Sequence, residues 1–68
     1  MRRGPTTIDA VRRQKLEAKR DRLFAELAAL EQDQRRGALD ADRYSARRRE
    51  LVTSLERVYA ELDEEAAA

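Results

Sequence analysis

From Leu16 onward the apolar residues of the first half recur at spacings of three, four and seven: Leu16, Leu23, Phe24, Leu27 and Leu30. Positions so spaced fall on one stripe of an α-helix. In heptad terms Leu16, Leu23 and Leu30 share one core position, Arg20 and Leu27 share the other, and Phe24 widens the stripe. A second series, Tyr44, Leu51, Val52, Leu55, Val58, Tyr59 and Leu62, has the same period and is interrupted by Arg48. It predicts a second amphipathic helix.

The residues between and around these series supply the punctuation. Thr6 or Thr7 after Pro5 can cap exposed backbone amides, and Asp9 suits the positive end of a helix dipole, so the first helix is expected over about 7–36. Arg35 and Arg36 suit its negative end, and Gly37 tolerates the left-handed exit conformation. A turn over 37–40 follows, in which Asp40 is the N-cap of the second helix and Leu39 can pack on Tyr44 as a hydrophobic staple. The second helix is expected over about 41–64. Residues 1–6 read as a basic disordered tail, and 65–68 as a disordered tail because Asp63, Glu64 and Glu65 stand where the dipole disfavours anions.

A connection this short forces two long helices antiparallel. The predicted fold class is therefore all-α, a two-helix antiparallel hairpin resembling a coiled coil. Pairing outward from the turn puts Leu27 near Leu51, Leu23 near Leu55, Leu16 near Leu62 and Arg13 near Glu65. The two stripes then face each other, but two helices leave one side of each stripe wet, and below ~70–80 residues a single core rarely supplies more than ~3–5 kcal/mol. Something else is expected to cover the remainder: a second copy, closing a four-helix bundle, or another protein. The expected partner interface is Ile8 and Val11 on the overhanging start of the first helix, with Phe24, Leu27, Tyr44, Val52 and Tyr59.

Composition narrows the chemistry more than the fold. The chain has no Cys and no His, which removes disulfides, thiolate nucleophiles, imidazole bases and the usual transition-metal ligands. Its carboxylates fall on helix surfaces and caps, with no pair in an apolar pocket that would split them into acid and base. No catalytic residue, metal site or cofactor is expected. The charged fraction of 43% against 4% aromatic belongs to long helices and coiled coils. Net charge is only +1, yet residues 1–22 carry eight basic side chains against three acidic ones, and residues 56–68 carry five acidic against one basic. The two ends attract, which favours the antiparallel pairing.

Arg35, Arg36, Arg43, Arg47 and Arg49 cluster about the turn and are the candidate anion-binding residues; such a patch can neutralise nucleic-acid phosphates. Asp33, Asp40, Asp42 and Glu50 in the same region favour a solvated, ion-paired tip instead. Arg48, on the stripe, reads as a side chain snorkelling to solvent or as an ion-pair site for a partner. The basic amino-terminal end can touch anionic lipid headgroups, although no apolar run approaches the ~20 residues of a membrane span and no signal peptide is evident. The expected location is cytoplasmic.

The run from Leu27 through Arg36, Gly37, Ala38, Leu39 and Asp40 to Tyr44, followed by Arg47, Arg48, Arg49, Glu50 and Leu51, resembles the helical hairpin of cytochrome c maturation proteins of the haem-lyase-associated type and of related short bacterial domains. The resemblance covers roughly residues 20–62. It implies a coiled-coil-like segment used for protein contacts, with Leu23, Leu27, Leu30, Tyr44, Leu51 and Leu55 in that role. The functional expectation is a non-enzymatic interaction or assembly adaptor, linked through this resemblance to cytochrome c maturation. A small nucleic-acid-binding hairpin using the Arg-rich turn is the alternative.

Overall fold

The computed structural model describes residues 7–67, with side chains from Asp9 to Ala66. The chain forms two helices, α1 over Thr7–Arg35 and α2 over Ala41–Ala67, and no strand among the described residues. It is the all-α helical hairpin that the two stripes predict. Residues 1–6, read as a basic tail, lie outside the described residues, as does Ala68.

The turn between the helices closes through backbone hydrogen bonds. Gly37 has φ +73°, the left-handed region that a Cβ disfavours. With Gly37 so placed, its N–H donates to the Gln34 carbonyl (3.1 Å) and the Ala38 N–H donates to the Asp33 carbonyl (2.9 Å). This paired arrangement, the Schellman motif, satisfies carbonyls that the end of α1 would otherwise leave bare. Three residues on, the Asp40 carboxylate accepts the Arg43 N–H at 2.8 Å, and the Asp40 carbonyl accepts the Tyr44 N–H at 3.0 Å. Asp40 is thus the N-cap of α2. Leu39 and Tyr44, on either side of it, both pack half-buried against the core, which fixes the angle at which the chain re-enters the hairpin.

The core is a single apolar seam. Leu23, Leu30, Leu51, Leu55 and Val58 form one buried cluster, with Leu27, Leu39, Tyr44 and Leu62 packed against it. Leu16 is buried as well. Leu51 and Val58 are the most enclosed, each with 2% of its surface exposed. Leu23 and Leu55, expected to face one another, therefore share the cluster, as do Leu51 and the half-buried Leu27.

At the open end the structure corrects two expectations. Helix α2 continues to Ala67, three residues past the expected limit, so 65–67 is helix and not tail. The cation that meets Glu65 is Arg12, at 3.6 Å, and not Arg13. Both corrections have one cause: an arginine from the start of α1 reaches the anionic end of α2 and relieves the unfavourable dipole contact. Alanines at 66 and 67, the strongest helix formers, extend the last turn.

Candidate interaction surface

Along both helices the seam has two flanks, and their chemistry differs. On one flank the Arg47 guanidinium spans the helices to Glu26 (3.0 Å) and also holds Glu50 (3.2 Å). Lys19, Asp33, Ser54 and Glu61 share that flank by helical spacing, so it is polar along its whole length. On the opposite flank Phe24 of α1 meets Tyr59 of α2 edge to face, with ring centroids 6.2 Å apart. Half-buried Val52 lies one heptad before Tyr59 on the same stripe. Phe24 and Tyr59 keep 44% and 43% of their surfaces exposed. An aromatic pair of this kind, at favourable geometry, remains nearly half in water because no third element among the described residues covers it.

The sequence-predicted interface is accordingly divided. Leu27 and Tyr44 are engaged by the hairpin's own core, whereas Phe24, Tyr59 and Val52 form one patch. Val11 is exposed (40%) on the early turns of α1, well away along the helix. Ile8 is on the first turn of α1, its side chain outside the described ones.

The Arg-rich turn is largely self-neutralised. Arg36 pairs with Asp33, Arg43 lies 3.9 Å from Asp40, Arg47 bridges Glu26 and Glu50, and Arg48 approaches Glu31 at 3.6 Å. Among the described residues Arg35 and Arg49 make no ion pair. Two shallow surface hollows occur there, one lined by Arg47, Arg49, Glu50, Thr53 and Ser54 and one by Ala28, Ala29, Gln32, Asp33 and Arg36. Neither encloses a ligand-sized space with convergent polar groups. Among the described residues no group of His, Cys, Asp and Glu is arranged to hold a metal ion.

Comparison with protein-family models, curated proteins and solved structures returns no match. The surface must therefore be read from its own chemistry. No helix among the described residues is long and apolar enough to cross a membrane.

Two residues that the stripes did not reveal complete the turn end of the hairpin. Glu31 accepts the Tyr44 hydroxyl hydrogen bond at 2.8 Å as well as facing Arg48, and Glu26 anchors Arg47. Each stands next to a core position of α1, Glu31 just after Leu30 and Glu26 just before Leu27. Those flanking heptad positions are where coiled coils place interhelical ion pairs, and that spacing was the available signal.

The Tyr44 hydroxyl is held above its ordinary value of 10.0, first by the hydrogen bond it donates to Glu31, then by desolvation and by the Glu31 charge, with Arg48 opposing. A raised pKa in the folded state means that this contact contributes stability fully below the unfolded value near 10 and loses it as pH rises through the higher folded value. The component of the tyrosinate absorbance titration that Tyr44→Phe removes should lie above the ordinary tyrosine value, and the variant should show less alkaline loss of helicity. If the component lost with Tyr44 lay at or below the ordinary value, the Glu31 contact would not persist in solution.

Proposed function

We propose that this chain is a non-enzymatic protein-interaction hairpin, an assembly adaptor whose working surface is the flank formed by Phe24, Val52 and Tyr59. The observation that carries the reading is the contrast in chemistry between flanks: one is polar and spanned by the solvated Arg47–Glu26 bridge, the other leaves two large aromatic side chains nearly half exposed beside each other. Aromatic residues supply much of the binding energy at protein interfaces, because their large apolar area is ordered at low entropic cost. A small hairpin core also gains the most from being covered. The absence of Cys and His and of any buried carboxylate among the described residues supports a binding role over a catalytic one.

A phosphate-binding turn is the weaker reading, since Arg36, Arg43, Arg47 and Arg48 already hold carboxylates. The likeness of residues 20–62 to cytochrome c maturation hairpins supplies a setting for an adaptor. The docking flank stands without it.

The test is site-specific photocrosslinking in the expressing cell, with benzoylphenylalanine in place of Phe24 or, as the opposite-flank control, in place of exposed Lys19. Discrete adducts from position 24 and none from position 19 are expected. Equal labelling from both positions, or none from position 24, would sink the proposal.

A further inference from the structure

The charges around the aromatic patch indicate what covers it. By helical spacing the stripe of α2 that contains Val52 and Tyr59 also contains Arg49 and Glu56, three residues before and four after Val52. Neither has an oppositely charged residue three or four positions away in its own helix. Neither makes an ion pair among the described residues. On α1 the stripe through Phe24 carries Arg35 toward the turn; toward the open end Glu17 has Arg13 four positions before it and Arg20 three after it, and Arg20 holds Asp21 at 3.1 Å, so opposite charges stand side by side there. Asp63 adds a further anion at the open end of α2. The unserved charges of the flank are therefore Arg49 and Arg35 on the turn side of the apolar patch, and Glu56 and Asp63 toward the open side. Of the anions nearer the turn, Glu31 is held by Tyr44 and Arg48, and Asp42 lies on the positive end of the α2 dipole.

A surface with that order of charges complements itself when reversed. We infer that the Phe24–Val52–Tyr59 flank is covered by a second copy of this chain lying across it in the opposite direction, which closes an antiparallel four-helix bundle about a two-fold axis beside Val52. The inference rests on the flank being a docking surface and adds the identity of its occupant. Arg49 and Glu56 are nearly equidistant from the axis, so laying α2 on its copy sets Arg49 of each protomer opposite Glu56 of the other. A single two-fold axis repeats the contact, as an isologous interface requires. The alternative in which both turns lie at the same end brings cations toward cations and anions toward anions. Val52 of both copies lies at the axis with the aromatic rings of each copy to one side of it, and the charge pairs fix direction more than affinity.

Sedimentation equilibrium of the full chain and of two charge-reversed variants tests this. The parent, 7.9 kDa as a monomer, should sediment at twice that mass. Arg49→Glu alone and Glu56→Arg alone each create two like-charge contacts per dimer and should weaken it about tenfold. An equimolar mixture of the two variants should recover the parent's affinity, because each now complements the other, and this recovery also shows that both variants fold. A parent that stays monomeric at roughly 100 µM, single variants that associate like the parent, or a mixture no tighter than its components would each overturn the inference. Adducts from position 24 only at the mass of a different protein would leave the docking flank standing and remove the second copy as its occupant.

Discussion

Replacement of Leu51 by Ala should leave the hairpin largely unfolded. Leu51 is 2% exposed and belongs to the cluster that joins the helices, and truncating a buried leucine costs ~2–5 kcal/mol through lost transfer energy and the cavity left behind. A core of this size provides roughly that much in total, so the loss equals the whole margin. Far-ultraviolet circular dichroism with a urea titration, at one fixed protein concentration, measures it. The variant should show low helicity without denaturant and no cooperative transition. Thr53→Ala, two residues away on the exposed side of the same helix, should stay within about 0.5 kcal/mol of the parent. If Leu51→Ala retained a cooperative transition within about 1 kcal/mol of the parent, the seam would not be what holds the helices together.

That sensitivity explains which features of the fold were legible in the sequence. The stripe positions, the Gly37 exit and the Asp40 cap are local rules: each depends on residues within one or two turns, and the structure contains all three. The end of α2 runs past the limit that its sequence suggests because its stability is not local. Three acidic residues at a helix terminus are unfavourable in isolation, and only the return of α1 alongside brings Arg12 to Glu65. Choosing Arg12 over Arg13 depends on the rotation of α1 about its axis, which a pairing counted in whole residues does not resolve. The same limit applies to the candidate surface. Phe24, Val52 and Tyr59 are readable in the sequence as interface residues, but that they form one patch on one flank emerges only when antiparallel pairing brings Phe24 against Tyr59. The roles of Glu26 and Glu31 are not legible in the sequence for a related reason: a flanking position has no meaning until the opposite helix supplies Arg47, Arg48 or Tyr44.

Local and long-range determinants thus divide along the length of the molecule, with the turn end encoded by caps and by Glu31 contacts and the open end by charge. Exposed ion pairs contribute ~0–1 kcal/mol each, so the open end is the part expected to open first. The patch at the middle of the apolar flank lies between these regimes, and covering it tightens both helices at once.

Gly37→Val should lower stability by about 1–2 kcal/mol, the cost of holding an L-residue in the left-handed region, and β-branching makes valine among the poorest choices there. The position isolates backbone strain unusually well. A Cβ at Gly37 meets nothing within 4 Å, so no clash at that atom contributes to the loss. Its sign should also reverse with chirality: a D-alanine at position 37, introduced by chemical synthesis, favours positive φ and restricts the unfolded chain, and should stabilise by about 0.4–1 kcal/mol. Gly37→Asn, whose side chain tolerates this conformation better than other L-residues, should fall between the two. Urea titrations of the three variants and the parent give the ordering D-Ala, Gly, Asn, Val. If valine equalled the parent, or D-alanine were the least stable, Gly37 would not occupy the left-handed conformation in solution, and the hydrogen bonds from Gly37 and Ala38 to the end of α1 would not be what stops the helix.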